Sequence, residues 1–213
     1  RSASTTNRGY YFQREDGYFE FIRLLLESIY ASKFINKKDS VTGEPLKGVA
    51  FKITYADGTY VDTGNGKPST NGIYATDAHG QIILSHVYGT FIVTEENTID
   101  GYRIDPETRA QTVVVGANDT QTLTFYNIPN GSLQITKVDG ITGKPLSGVE
   151  FKIAGCSGCE YPEGTYATNE NGIIRLENIP DGHYSVVESS AADGYLPDNT
   201  VRTVKVDPGE DKE

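Results

Sequence analysis

The stretch KKDSVTGEPLKGVAFKI at residues 37–53 returns one hundred residues later as KVDGITGKPLSGVEFKI at residues 137–153. A second pair of matching stretches, VTEENTIDGY at 93–102 and VVESSAADGY at 186–195, is offset by 93 residues. A period of this length exceeds that of solenoid repeats and is the size of a small domain. The sequence therefore predicts two tandem domains, joined by a short linker near residues 127–132.

Hydrophobic residues in both copies alternate with polar ones, which is the period of a β-strand and not of a helix. The alternation is clear in GVAFKI and GVEFKI, and again in GTFIVTE and GHYSVVE. Clusters of Gly, Asp, Asn and Pro separate these stretches and predict turns. About seven strands in fewer than about a hundred residues predict an antiparallel β-sandwich in each copy.

The first thirty or so residues follow a different pattern. Helical spacing places one apolar stripe along residues 17–31, with Asp16 as the N-cap; its members are Tyr18, Phe21, Ile22, Leu25, Leu26 and Ile29. The sequence predicts a short amphipathic helix here. Either the helix packs against the first domain or a domain that precedes it, or it binds a partner, and the sequence does not separate these alternatives.

Composition excludes several classes of function. The 213 residues carry a net charge of −10 and have a pI near 4.8, which argues against binding to nucleic acid or to an anionic membrane surface. No apolar run is long enough to span a bilayer, so no membrane contact is expected of this segment. No signal peptide opens the sequence, and we expect any export signal or anchor to lie outside these residues.

Three spaced elements around the repeated lysines resemble the B-type repeats of Gram-positive collagen adhesins and the related prealbumin-like domains of pilins. The first element is NKKDSVTGEPLKGVAF in one copy and TKVDGITGKPLSGVEF in the other. The second is EENTIDGY and ESSAADGY, and the third, LTFYNIP, ends the first copy. The proline that usually precedes Asp-Gly-Tyr is replaced by Ile99 and Ala192. The resemblance covers the chain from about Lys33 to its last residue.

This resemblance implies an all-β fold of two tandem immunoglobulin-like, prealbumin-like antiparallel β-sandwiches, preceded by the short amphipathic helix. The expected organisation is an N-terminal segment at 1–32, a first domain at 33–130 and a second domain at 131–213. The first domain carries an extra stretch, DTGNGKPSTNG, at residues 62–72.

The resemblance also implies an intramolecular isopeptide bond that forms without another enzyme. It assigns Lys37 as nucleophile, Glu95 as acid and base, and Asn127 as acceptor. Burial favours a neutral amine and a protonated carboxyl, so the amine can attack while the carboxyl polarises the carboxamide and relays protons. From the residues alone, the alternatives are an ordinary partly buried ion pair or a lysine that extends to solvent. The neighbouring Lys38 should point to the opposite face of the strand.

In the second copy, Lys137 and Glu188 occupy the matching positions, but no asparagine follows at the required distance. Asn127 is the twelfth residue after Val115, whereas the sequence runs only seven residues beyond Val206. We expect the last strand of the second domain to be missing from these 213 residues, and no isopeptide bond at Lys137. A strand from another molecule is the alternative occupant.

The remaining candidate site is the pair Cys156 and Cys159, in the stretch GCSGC. Two thiolates do not complete a tetrahedral zinc site, and the three histidines, His79, His86 and His183, have no ligand spacing. We expect a local disulfide across a hairpin tip, with free thiols as the alternative, and neither a metal nor a cofactor.

The function expected is a structural stalk or pilin-like segment of a bacterial surface adhesin, outside the cell and attached to its wall. Its partners would be neighbouring domains of the same surface protein or pilus. The chain would not be an enzyme beyond its self-directed bond formation. The alternative is a binding module that recognises a host matrix or mucosal protein, or a glycan, through the helix or the extra stretch.

Overall fold

The structure is a computed structural model that describes residues 3–6, 9–12, 31–62, 70–116, 119–155 and 163–213. The expected helix lies almost entirely outside these residues, as do Cys156 and Cys159. The described residues form strands and one three-residue 3₁₀ turn, and the all-β prediction is confirmed. Within them, no helix has the length and apolar character needed to cross a membrane.

Seventeen strands are present in the described residues. In chain order they are β1 (Ala3–Thr6), β2 (Gly9–Phe12), β3 (Ala31–Asp39), β4 (Ala50–Tyr55), β5 (Ile73–Ala75), β6 (Gln81–Val87), β7 (Gly89–Asn97), β8 (Tyr102–Ile104), β9 (Ala110–Val115), β10 (Thr120–Pro129), β11 (Gly131–Thr136), β12 (Glu150–Gly155), β13 (Gly164–Ala167), β14 (Ile173–Ile179), β15 (Gly182–Ser190), β16 (Arg202–Val206) and β17 (Asp211–Lys212). The 3₁₀ turn at Thr70–Gly72 precedes β5. Strands β1 and β2 form an antiparallel pair that the sequence did not predict.

The chain divides into two compact units. The first comprises residues 1–99 and 104–127, and it contains the β1–β2 pair and nearly all residues of two four-stranded sheets. The strand orders are β6-β3-β10-β8 and β5-β4-β7-β9. Strand β3 pairs antiparallel with β6 and parallel with β10. The first and last strands of this copy are therefore neighbours in one sheet.

The second unit comprises residues 100–103 and 128–213. Its sheets have the orders β14-β11-β17 and β13-β12-β15-β16. Strand β17 pairs parallel with β11, as β10 does with β3, but with only two residues. Beyond these two residues, β11 has no partner strand on this side among the described residues, whereas β3 is paired with β10 along its length. This is the main difference between the two units.

Alternation along the strands places apolar side chains between the sheets of each unit. The first core consists of Ile35, Leu46, Val49, Phe51, Ile53, Val61, Tyr74, Ile82, Leu84, Val87, Phe91, Val93, Val115 and Phe125. The second consists of Leu133, Val149, Phe151, Ile153, Ile174, Leu176, Ile179, Tyr184, Val186 and Val206. Three polar side chains, Lys37, Glu95 and Asn127, are buried in the first unit to the same degree as its apolar core.

Candidate functional site

The pattern of β3 directs Lys37 into the first core. Ile35, Lys37 and Asp39 are buried, whereas the residues between them are partly exposed. The Lys37 backbone is held on both sides, since its N–H donates to Gly80 O at 2.8 Å and its carbonyl accepts from Leu46 N at 2.9 Å. A Cβ on Gly80 would lie 2.5 Å from the Lys37 carbonyl oxygen, and Gly80 has φ of +68°. Only glycine fits this close approach.

Glu95 and Asn127 reach the same space from two other strands. On β7, Phe91, Val93 and Glu95 alternate on the buried face. On β10, Phe125 and Asn127 do the same. The parallel register places Phe125 opposite Lys37, and the next inward residue of β10 is Asn127. The three polar side chains thus converge because each occupies the inward position of its strand.

A closed set of hydrogen bonds joins these three side chains. Lys37 Nζ donates to Glu95 Oε2 at 2.8 Å and to Asn127 Oδ1 at 2.6 Å. Asn127 Nδ2 donates to Glu95 Oε1 at 2.6 Å. The side chains of Lys37 and Glu95 are 0% and 1% exposed, so water does not compete for these bonds.

Aromatic rings surround the amine. Phe51 and Phe125 lie edge to face with centroids 4.9 Å apart, and Lys37 Nζ is 6.0 Å from each centroid. Burial in this environment lowers the pKa of Lys37 below its usual value, because desolvation disfavours the ammonium. The hydrogen bond and charge of Glu95, with the charge of Asp105, oppose this shift without cancelling it. The neutral, nucleophilic amine is therefore easier to form here than in an exposed lysine.

The arrangement is suited to transfer of an acyl group from nitrogen to nitrogen. The amine lies beside the carboxamide whose oxygen it contacts, and one carboxyl bridges the amine and the amide nitrogen. One oxygen of Glu95 can receive a proton from Nζ while the other delivers one to Nδ2. These are the requirements for an amine to displace ammonia from a carboxamide.

The second unit brings Lys137 and Glu188 together in the same way. The Lys137 N–H donates to Gly172 O at 2.8 Å, and its carbonyl accepts from Leu146 N at 3.0 Å. Lys137 Nζ lies 2.7 Å from Glu188 Oε2. The side chain of Lys137 is 27% exposed and that of Glu188 is 3% exposed. Among the described residues, Glu188 Oε1 has no hydrogen-bond partner, whereas Glu95 Oε1 accepts from an asparagine amide.

The Asp of the repeated motif has a structural role. Asp139 Oδ1 accepts from Ile141 N at 2.9 Å and from Thr142 N at 2.6 Å. The Tyr195 hydroxyl donates to Asp139 Oδ2 at 2.6 Å, and these bonds, first that of Tyr195, lower the pKa of the carboxyl. Asp39 caps the corresponding turn of the first copy. The Asp thus fixes the turn after the lysine.

Sequence reasoning missed one residue at the site. Thr98 Oγ1 accepts a hydrogen bond from Asn127 Nδ2 at 2.5 Å. Thr98 follows the end of β7, where no alternating pattern points to it. Comparison of the copies does not single it out either. The residue three positions after the glutamate is Thr98 in one and Ala191 in the other, but three neighbouring positions differ as well.

Among the described residues, no group of three or more His, Cys, Asp or Glu side chains is arranged to hold a metal ion. Cys156 and Cys159 lie outside those residues, so their pairing stays a prediction.

Known proteins resemble the chain across both repeats. A family described as SpaA, prealbumin-like fold domain, matches residues 32–129 and 131–213. A bone sialoprotein-binding protein of Staphylococcus aureus is 28% identical over 194 residues, which cover 83% of this chain and 16% of that protein. The chain therefore spans only a small part of the curated relative that it matches.

Solved structures of pilins have a similar fold. A streptococcal ancillary pilin has a TM-score of 0.50 and 22% identity, covering 87% of this chain and 62% of its own. The shaft pilin of Lactobacillus rhamnosus GG has a TM-score of 0.42 and 16% identity, covering 86% of this chain and 96% of its own. At 22% identity, the likeness to the ancillary pilin concerns the fold alone.

Proposed function

The chain belongs to the family of SpaA prealbumin-like fold domains, and from this membership we propose that it is a pilin-like stalk segment of a bacterial surface adhesin, closed by a Lys37–Asn127 isopeptide bond. The observation that carries the bond is the buried set of hydrogen bonds among Lys37, Glu95 and Asn127. A carboxamide that contacts both the amine and the carboxyl is what the reaction requires, and the burial of all three groups supports the proposal. A buried ion pair stabilised by an additional amide is the alternative that the mass measurement below separates from it.

The reaction needs no group from outside the domain. Proton transfer from Lys37 to Glu95 leaves a neutral amine and a protonated carboxyl. The nitrogen lone pair attacks Asn127 Cγ, forming the new C–N bond while the carbonyl electrons move to Oδ1. Glu95 delivers its proton to Nδ2 and receives one from Nζ, the C–Nδ2 bond breaks, and ammonia leaves. The carbonyl re-forms as this bond breaks, and the products are one amide bond, one ammonia and a protonated Glu95. Glu95 returns to the carboxylate when it passes this proton to the departing ammonia, which leaves as ammonium.

The bond would join the first and last strands of the copy. It would close a loop of ninety-one residues, counted from Lys37 to Asn127 inclusive. By the chain-entropy relation for disulfides, such a closure stabilises the fold by about 4–5 kcal/mol. A covalent tie between terminal strands prevents a stretched domain from separating them, which suits a segment that carries load.

We place this segment outside the cell, at the wall of a Gram-positive bacterium. Support comes from the family and from the curated relative, the bone sialoprotein-binding protein of Staphylococcus aureus. Neighbouring domains of the same surface protein or pilus are the expected partners.

Intact mass measurement of the purified chain tests the bond. The wild-type mass should be lower than the sequence mass by one ammonia, and a fragment spectrum should link Lys37 to Asn127. Lys37→Ala, Glu95→Ala and Asn127→Ala should each have the full sequence mass. A wild-type chain of unmodified mass would refute the bond.

Two matched controls separate this reaction from nonspecific ammonia loss. Lys38→Ala changes the adjacent lysine, which is partly exposed on the other face of β3. Asn97→Ala changes an exposed asparagine near Glu95. Both variants should lose one ammonia as the wild type does.

A ligand-binding role is the second candidate, supported by the name of the staphylococcal relative. Immobilised bone sialoprotein should retain the chain if this role applies, and a variant lacking residues 1–30 would show whether the N-terminal segment is needed. If neither the full chain nor the shortened variant binds, the ligand-binding role is refuted and the stalk role stands alone.

A further inference from the structure

Thr98 contacts the nitrogen that leaves in the proposed reaction. Asn127 Nδ2 has two N–H groups, one directed to Glu95 Oε1 at 2.6 Å and the other to Thr98 Oγ1 at 2.5 Å. Because Oδ1 also accepts a hydrogen bond from Lys37 Nζ at 2.6 Å, all polar groups of the carboxamide have hydrogen-bond partners. Three contacts from three separate positions fix the plane of the amide.

We propose that Thr98 is a further catalytic residue of this site, which orients the Asn127 carboxamide and assists departure of its nitrogen. The proposal rests on the proposed isopeptide bond. When Nζ adds to Cγ, Nδ2 becomes pyramidal and its lone pair is no longer delocalised into the carbonyl. To accept the proton carried by Glu95, the nitrogen must turn this lone pair toward Oε1, in place of the N–H that contacts it. The hydrogen bond from the other N–H to Thr98 Oγ1 keeps Nδ2 beside Glu95 during this change. The proton of the Thr98 hydroxyl does not move, so the atom balance of the reaction is unchanged.

The second copy indicates that the hydroxyl is not needed to build the turn. Ala191 stands at the matching position, three residues after Glu188. Strand β15 pairs with β12 as β7 pairs with β4, with Phe151 opposite Glu188 and Phe51 opposite Glu95. The turn thus forms with alanine in the copy that has no asparagine at its lysine, and with threonine in the copy that has one.

The rate of bond formation tests this role. The full chain is prepared unfolded in denaturant and refolded by dilution, and ammonia loss is followed by intact mass. Thr98→Val keeps the side-chain shape without the hydroxyl and should slow the reaction about tenfold, the effect of one hydrogen bond at a reacting atom. Thr98→Ser keeps the hydroxyl and should react within about threefold of the wild-type rate.

Two further measurements exclude a merely structural effect. Thr94→Val makes the same change on the outward face of β7 and should leave the rate unaltered. The pH profile of Thr98→Val should keep the wild-type shape at a lower rate, because Thr98 does not titrate. If Thr98→Val does not fold by circular dichroism, Thr98→Ala replaces it, since alanine is the residue of the second copy.

The outcomes for Thr98 and for the bond are distinguishable. If the wild type loses ammonia and Thr98→Val loses it at the same rate, the role of Thr98 is refuted and the proposal of the bond stands. Equal slowing of Thr98→Val and Thr98→Ser also refutes it, because the hydroxyl would then be irrelevant. A wild-type chain that loses no ammonia refutes both proposals.

Discussion

At the scale of the residue, the two lysines of the repeat show what burial requires. Both have equivalent backbone contacts, and each pairs with the glutamate of its own copy. Yet the side chain of Lys37 is fully buried, whereas that of Lys137 is 27% exposed. The difference lies in what covers them. In the first unit, the inward residues Phe125 and Asn127 of β10 close the space over the amine.

The shared proton of Lys37 and Glu95 predicts a particular pH dependence. The reactive pair, a neutral amine with a protonated carboxyl, holds the same number of protons as the ion pair. The two states therefore differ only in which group holds the shared proton. The rate should therefore be constant across neutral pH and fall in alkali, where Lys37 has lost the shared proton. Because burial lowers the pKa of Lys37, the alkaline fall should begin below the pH at which a free lysine titrates.

Refolding at a series of pH values, with intact mass as the readout, measures this profile. Circular dichroism at each pH confirms that the chain is folded. A rate that climbs steadily to about pH 10.4, the pKa of free lysine, would show that the amine reacts without the carboxyl.

At the scale of the element, strand periodicity was enough to predict which residues face inward. Alternation in GVAFKI corresponds to β4, and the lysine, glutamate and asparagine all lie on inward positions. Periodicity does not give the direction of pairing, so the parallel contact of β3 with β10 was not foreseen. Thr98 lies outside any strand and twenty-nine residues from Asn127, and no local pattern connects two such positions.

The parallel pairing of β3 with β10 determines how the first unit should respond to force. Tension applied at the chain ends enters through β3 and leaves through β10, and an isopeptide bond would carry it directly from Lys37 to Asn127. The residues between Lys37 and Asn127 would then not be extended by the force. Without the bond, the loop of ninety-one residues could extend by roughly 300 Å.

Force spectroscopy on the full chain measures this difference. Asn127→Ala should show an additional extension of that size, and the wild type and Asn97→Ala should not. The second unit should unfold in all three chains and serves as the internal reference. A wild-type chain with the full extension of both units would contradict the load-bearing role.

At the scale of the whole molecule, the repeat predicted two sandwiches. The two units of the structure have matching strand pairings except in the sheet of the first strand, where β10 also pairs with β8 and β17 has no such neighbour among the described residues. The short β17 takes the place that β10 occupies in the first unit. Asp211 pairs with Ser132 as Thr120 pairs with Ser32. Asn127 lies seven residues after Thr120, so the matching position lies seven residues after Asp211, which is the fifth beyond Glu213.

This register predicts how to complete the second site. Addition of LTFYNIP, the sequence of residues 123–129, directly after Glu213 would place its asparagine at that fifth position. The added amide could then donate to Glu188 Oε1, which lacks a partner among the described residues. The phenylalanine would cover Lys137, which is now part exposed. We expect loss of a second ammonia and a higher Tm for the second unit, whereas the unextended chain should show no bond at Lys137.

A shifted extension provides the matched control. One extra glycine before LTFYNIP moves every added side chain to the opposite face of the strand, so the asparagine would point away from Lys137. This chain, and an in-register chain with Lys137→Arg, should lose only the first ammonia. If the in-register chain also loses only one, Lys137 is not a reactive lysine, and its pairing with Glu188 is an ordinary ion pair. Because β11 already pairs with β17 in the required register, the strand needs only to continue a ladder that has begun.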